Sequence, residues 1–361
     1  MKIIFELTHP AHFHHFKHTI NELSNMGNEV RIIISKKDIL VDLLESNKIT
    51  YTVIGENKHS IFLKIFQHII KYKNINKVFK DFKPDLIVCR PSQNMTFLSY
   101  INNIHCIVFA EDDLKVAMIN GLLSLPFAHT ILTPIETDLK FFSKKQFIYN
   151  GYQKLAYLHP NYFTPDIKIV KKYFNISKPF FIIRLSRLSA SHDILMDGIS
   201  DKILNKIIML LSKKGQVVIS SERELNPIFS KYIQRFSVKD MHHFMYYASM
   251  FIGDSQSMAF ESAMLGTASI RFSSFSGKIN VLEELEKKYQ LTFGINPRNE
   301  EDLYRKIKYI LNLPDATKTF KKRREKLLKE KIDVTAMMTS FIHNYPRSRT
   351  RVLKTFNKKY K

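Results

Sequence analysis

The chain has no tryptophan and, among 361 residues, only two cysteines and ten glycines. Cys89 and Cys106 are too few for a secreted disulfide scaffold, and their spacing matches no metal-binding pattern, so a reducing cytoplasm is the expected compartment. Long apolar runs are missing as well. The run 3–5 stops at Glu6 before a signal-peptide core can form, and nothing reaches the roughly 18 to 20 residues that cross a bilayer. Contact with a membrane is therefore expected only from the side. Acidic residues are also scarce, 33 against 56 Lys and Arg, for a formal charge of +23. Such a balance implies an anionic partner (a phosphorylated small molecule or an anionic lipid surface) or a lysine-rich background. Nucleic acid fits the charge alone, but the basic residues are spread along the chain and not set among stacking aromatics on one face.

The content is ordinary for a globular protein, with 45% hydrophobic and 25% charged residues, and the length suits two domains. The first 35 residues read strand, helix, strand, with apolar runs at 2–7 and 30–34 flanking a helical stretch that ends near Gly27. Helical stretches at 39–46 and 61–82 and strands at 85–89, 106–109 and 130–133 continue a parallel βαβ pattern. Periodicity vanishes at 151–165, which reads as a linker. The same grammar then resumes, with strands at 180–184, 217–220, 250–253 and 268–271 and helices at 202–213, 241–248 and 257–265. The expectation is α/β, with two doubly wound Rossmann-like domains at 1–165 (linker included) and 166–340, then a basic tail at 341–361. The basic stretch after residue 300 reads as a solvated helix face or as a surface that meets anionic lipid.

The segment 251–266, FIGDSQSMAFESAMLG, carries the most chemistry. A strand passes Gly253 and small polar residues into a helix, so free backbone N–H groups, among them that of Met258, point beyond the strand end together with the positive end of the helix dipole. A phosphate suits that place. Ser255, Gln256 and Ser257 would add donors to a diphosphate, and Glu261 would accept from ribose hydroxyls. The alternative is that a serine only caps the helix.

Four histidines crowd the loop and helix start at 8–16, THPAHFHHF, beyond the first strand. Imidazoles here would act as general bases or as cations facing phosphate; His9 and His12, nearest the strand end, are the candidates, some of the histidines being surface residues, and no Cys or carboxylate completes a metal set. After strand 180–184, Arg184, Ser189 and His192, which precedes Asp193, form a possible clamp on a diphosphate, or a His–Asp pair that merely anchors a loop. The acidic run 111–113 would supply a base or cap the next helix. Arg271 and Lys278 are further candidates for phosphate contact.

The segments 253–279, 8–16 and 151–166 resemble a family of archaeal and bacterial domains of unknown function placed in the superfamily of GT-B glycosyltransferases and UDP-GlcNAc 2-epimerases. The similarity runs to about residue 340. The resemblance implies a GT-B fold whose two domains face a central cleft, with diphosphate and ribose held by Ser255, Gln256, Ser257 and Glu261. It implies transfer of a sugar from a nucleotide-diphosphate donor, a UDP-sugar above all, to a glycan or lipid-linked acceptor in surface polysaccharide assembly, with inversion and with no cofactor or metal. Arg184 and the run 190–193 keep that family's pattern, while Leu188 stands where an aromatic is usual. The rival on the same scaffold is a non-hydrolysing 2-epimerase, whose His-Arg-x-Glu-Asn run is missing after 180–184.

Overall fold

The computed structural model describes residues 1–56, 61–186, 198–234 and 236–349. The chain divides into two compact units, one of Met1–Tyr157 with the segment from Ile332 onward, the other of Leu158–Lys331.

Unit 1 runs β1 (Lys2–Leu7), α1 (Pro10–Asn25), β2 (Glu29–Lys36), α2 (Asp38–Ser46), β3 (Thr52–Glu56), α3 (Ile61–Phe82), β4 (Leu86–Cys89), α4 (Gln93–Ile101), β5 (His105–Phe109), α5 (Met118–Ser124), β6 (Thr130–Pro134), β7 (Gln146–Tyr149) and α6 (Leu155–Leu158). Its seven strands are parallel in the order β3-β2-β1-β4-β5-β6-β7. Successive side chains of a strand point to opposite faces. Phe5 and Phe109 accordingly meet Phe16 of α1 on one face, at 5.4 and 5.6 Å between rings. Ile4, Ile87 and Val108 pack on the other against Ile75, Phe79, Met95 and Leu98 of α3 and α4. With both faces covered, the strands need to be apolar throughout, which is why they read as unbroken runs.

Unit 2 runs α7 (Ile167–Lys171), β8 (Phe180–Leu185), α8 (Asp201–Ser212), β9 (Gln216–Ser221), α9 (Met241–Tyr247), β10 (Met250–Gly253), α10 (Gln256–Met264), β11 (Ala268–Phe272), α11 (Asn280–Lys287), β12 (Thr292–Ile295), α12 (Glu300–Leu311) and α13 (Ala316–Glu330). The five strands are parallel in the order β12-β11-β10-β8-β9. Residues Ala259 to Met264 of α10 are all buried, the polar Glu261 and Ser262 among them.

The last helix, α14 (Val334–His343), belongs to unit 1. Thr339 donates to Glu22 of α1 at 2.6 Å, Thr335 donates to the Ala156 carbonyl at 2.7 Å, and the Ile332 N–H donates to the Asn150 carbonyl. The division therefore differs from the sequence boundaries in two places. The stretch 151–157, expected as linker, is core, with Tyr152, Leu155, Ala156 and Tyr157 buried. The expected tail is also core where described, since Phe341, Ile342 and Tyr345 are buried and Tyr345 lies 3.0 Å from Thr130. Residues 350–361 lie outside the described residues.

The basic run of α13 has an inward face. Lys321 donates to the carbonyls of Tyr246 and Leu265 at 3.0 and 2.7 Å, and Arg324 to those of Met264 and Leu158 at 2.6 and 3.1 Å. Of these, the carbonyls of Met264 and Leu265 close α10, where terminal carbonyls lack partners in the helix and carry its negative dipole end. Two of the cations that looked like a solvated face thus finish another helix. Among the described residues, no helix is long and apolar enough to cross a membrane.

Candidate functional site

In an open parallel sheet, ligands gather beyond the carboxyl ends of the strands where the strand order reverses. In unit 2 that point lies between β8 and β10. Asp254, the first residue past β10, accepts from the backbone N–H and hydroxyl of Ser186 at 2.6 and 2.7 Å, tying the two strand ends together. Gly253 is required by space, because a Cβ there would lie 2.7 Å from the Arg184 carbonyl oxygen. Ser255 is the N-cap of α10, its hydroxyl oxygen accepting from the Met258 N–H at 3.4 Å. That bond leaves the hydroxyl proton to be donated outward. Gln256 accepts from Arg271 at 3.4 Å through its amide oxygen, and its amide nitrogen has no partner among the described residues. Ser257 is exposed in the first turn. Gly253 ends β10, and Ser255, Gln256, Ser257 and Met258 form the helix start that follows; the Met258 N–H, expected to be free, is taken by Ser255, and the Gln256 amide nitrogen is buried, which leaves Ser257 exposed.

Glu261 sits apart from that start. It is buried one turn further in, and its carboxylate lies 3.6 Å from Nε2 of His242 on α9. The sequence alternatives for it were ribose contact or solvent exposure; buried and paired, it is not an exposed surface residue. Arg184 is held at the opposite edge of β8, donating to Ser220 at 2.6 Å and pairing with Glu222. Arg271 is a correction. Its guanidinium is wholly buried between Glu283 and Glu286, at 3.8 and 3.0 Å, and holds the sheet to α11 and not a phosphate. Lys278, the other candidate for phosphate contact, follows in the turn before α11, its N–H bonded to the Phe275 carbonyl. Ser189 and His192 lie outside the described residues.

In unit 1 the reversal lies between β1 and β4. His9 is the N-cap of α1, exposed, with Nδ1 accepting from the Ala11 N–H at 3.1 Å. Pro10 fits at the next position because it has no N–H to satisfy. His12 is half-buried, and its Nδ1 accepts from the Thr8 N–H at 3.3 Å. Burial, then the positive charges of Arg90, His9 and Lys154, push the His12 imidazole well below its usual range. A neutral imidazole that accepts at Nδ1 carries its proton on Nε2, so each of these histidines presents a donor and not a base. This alters the chemistry expected of both. Of the remaining histidines, His15 is not at the surface: it is buried against Phe16 and Phe109, its ring nitrogens have no partner among the described residues, and burial holds it neutral.

Glu111 is buried, accepts from the Gln153 N–H at 2.8 Å, and is raised above the usual carboxylate range by burial against the opposing pull of Lys154 and Arg90. Arg90 lies 3.8 Å from Asp112. Asp113 is structural, accepting from the Asp138 N–H at 2.8 Å. Arg90 and Lys154 act on both His12 and Glu111, so these groups share one locality. Sequence reasoning passed over Arg90 and Lys154. The signal for Arg90 was its place one residue past a buried strand; Lys154 was hidden in what read as linker. A second buried acid, Glu6, lies at the end of β1 on the face of Ile4. Burial raises it to about 7 despite a hydrogen bond from Ser92 and the charge of Lys71. Among the described residues, no three His, Cys, Asp or Glu are grouped so as to hold a metal ion.

A family model described as "Protein of unknown function (DUF354)" matches residues 1–345. A search of curated proteins finds no match. Solved structures do align along nearly the whole chain. A putative UDP-N-acetylglucosamine 2-epimerase from Listeria monocytogenes aligns at TM-score 0.69 and 13% identity, over 97% of this chain and 96% of that one. The spinosyn forosaminyltransferase SpnP aligns at 0.64 and 13%, over 98% and 99%. The S. aureus MnaA–UDP co-structure aligns at 0.66 and 12%, over 97% of each. At such identities the likeness is one of fold, and the fold is that of the two-domain GT-B enzymes.

Proposed function

The chain belongs to the DUF354 family, and from that premise we propose that it is a GT-B glycosyltransferase that moves a sugar from a nucleotide-diphosphate donor to a hydroxyl of a glycan or lipid-linked acceptor. The observation that carries the reading is the start of α10. A helix terminus, a glycine that lets the end of β10 lie close against β8, and the polar side chains of Ser255, Gln256 and Ser257 meet at the strand-order reversal of unit 2. Such a place favours a diphosphate. Here the helix terminus takes the part that a metal ion plays elsewhere in holding the leaving group, and the expected stereochemical outcome is inversion. A uridine nucleotide is the donor of choice, because a structural relative is described in complex with UDP. Surface polysaccharide assembly at the inner face of the cytoplasmic membrane is the setting that this reading implies.

Within unit 1, Glu111 takes the acceptor proton, as its raised carboxyl titrates nearer to neutral pH than an ordinary one. His12 donates from Nε2 to an acceptor or sugar oxygen, and Arg90 balances the charge. One observation favours a second reading. Two buried carboxyls with raised values, Glu6 and Glu111, also suit the proton exchange at a sugar carbon that a 2-epimerase performs.

The test is a thermal-shift screen of UDP, GDP, CMP and UDP-GlcNAc against wild type, Ser257→Ala and Glu111→Gln. A nucleotide at 100 times its dissociation constant stabilises by about 2.7 kcal/mol. We expect a uridine nucleotide to shift wild type and Glu111→Gln alike and Ser257→Ala less. No shift with any nucleotide would refute the donor site. Incubation with UDP-GlcNAc in D2O separates the two readings, since only an epimerase incorporates deuterium at C2 without an acceptor.

A further inference from the structure

An amphipathic helix turns its large apolar residues inward. Helix α5 does the reverse. Its buried positions are Gly121 and Ser124, and a Cβ at Gly121 would lie 2.5 Å from Cδ1 of Leu114. Its outward positions are Met118, Ile119, Leu122 and Leu123, exposed by 54%, 70%, 42% and 44%. The helix carries no charged residue. Single exposed apolar residues are ordinary, but four on two turns form a patch that calls for a partner.

The surroundings identify that partner. The segment 138–145 runs beside the helix, tied at one end by the Leu114 N–H to the Asp138 carbonyl at 2.9 Å and at the other by Lys145 to the Pro126 carbonyl at 2.6 Å. It exposes Phe141 by 66%, together with Lys140 and Lys144. Lys115, also exposed, precedes the helix. The nearby acids are engaged, Asp112 with Arg90 at 3.8 Å and Asp138 with Lys140 at 2.8 Å, which leaves Lys115 and Lys144 to set the local sign. We propose that α5 is the element by which this protein docks on an anionic lipid surface. The apolar side chains enter the acyl boundary and the lysines meet the headgroups. A second copy fits less well. A symmetric contact would bring the same lysines together on two molecules that each carry +23.

Docking there has a consequence for unit 1. The Asn120 side chain donates to the Pro91 carbonyl at 3.2 Å, so α5 rests on the loop that carries Arg90. Lipid contact would bring that loop to the membrane surface, where a lipid-linked acceptor would be found. The inference extends the transferase reading, but vesicle binding is measured without turnover, so either can fail alone.

The experiment is co-sedimentation of the full chain with vesicles of phosphatidylcholine alone, or of phosphatidylcholine with phosphatidylglycerol. The wild type is compared with Ile119→Asp/Leu123→Asp and with Lys115→Gln/Lys144→Gln. We expect binding to the anionic vesicles only, weakened by about tenfold or more in each double variant, with melting temperature and nucleotide shift unchanged. Wild-type failure to bind anionic vesicles would overturn the proposal. So would unchanged binding by the aspartate variant, which would place the contact elsewhere on the chain. A dimer in solution that the aspartate variant splits would assign the face to a second copy instead.

Discussion

Replacing Glu6 by glutamine tests whether a buried acid sets the pH response of unit 1. The carboxyl is 4% exposed and its value rises from 4.5 to about 7, chiefly through burial. Between those values the folded protein holds a proton that the unfolded chain has released. Stability contributed by the neutral carboxyl is therefore complete below about pH 4.5 and is lost as the pH rises towards and beyond 7. The gap of about 2.5, at about 1.4 kcal/mol per unit of pH, comes to about 3 kcal/mol. Glutamine keeps the shape and cannot ionise. Glu6→Gln should thus match wild type near pH 5 and exceed it at pH 8 by roughly 6 to 12 °C in melting temperature, at roughly 2 to 4 °C per kcal/mol. Histidines 12 and 15, held below their usual values, act in the opposite sense below about 6.5, but equally in both proteins, so the difference between them isolates Glu6. Thermal melts at half-unit steps from pH 5 to 8 are sufficient. An offset between the two proteins that stays constant across the range would refute the argument. The same side chain accepts from Ser92, two residues from Arg90, so its ionisation also acts on the loop of the candidate site.

Three further outcomes are expected. Gly253→Ala places a Cβ 2.7 Å from a carbonyl oxygen and should cost about 1 to 3 kcal/mol, with nucleotide binding weakened by more than the lost stability explains, as calorimetry would show. Arg271→Met leaves Glu283 and Glu286 without their buried cation and should destabilise by about 3 to 5 kcal/mol in denaturant titration; wild-type stability would show that the guanidinium is not structural. His15→Phe removes two buried ring nitrogens that have no partner among the described residues and should stabilise by about 1 to 2 kcal/mol. That gain should grow as the pH falls below about 6.5, where the unfolded histidine takes up a proton that the folded one refuses; a gain that shrinks on acidification would contradict it.

The parallel strands were legible because burial on both faces demands apolar runs; β4 and β10 carry them without a charge, and β1 and β8 are broken only near their ends, by Glu6 and Arg184. The short edge strand β7 and strand β12 were not, since QFIY and TFGI are too brief to stand out from their surroundings. The segment 151–157 shows the limit more clearly. Its tyrosines, glycine and lysine have no periodicity to read, yet Gln153 and Lys154 bring a backbone donor and a charge to Glu111, a relation across more than forty residues that no local pattern encodes. The start of α10 was legible for the opposite reason. A strand, a tight residue and a cap in succession describe a helix start just past a strand end by their order alone.

The histidine loop is where composition misleads and hydrogen bonding decides. Side-chain identity suggested two bases at His9 and His12, but the first turn of α1 offers N–H groups that no backbone carbonyl satisfies. Each imidazole Nδ1 accepts one N–H at the entrance to the helix, from Ala11 or from Thr8, and the tautomer follows. In the proposed reaction the base is instead an acid, Glu111, on which the same cations act. The net charge divides in the same way. Lys321 and Arg324 close the carbonyl end of α10 and Arg271 is locked between two glutamates, so these cations are structural. Lys115 and Lys144 stand exposed at the margins of an uncharged apolar helix. An excess of +23 therefore does not describe one basic surface. Some of its cations are consumed by the fold, many more are exposed along the chain, and Lys115 and Lys144 stand where the proposed anionic surface would meet them.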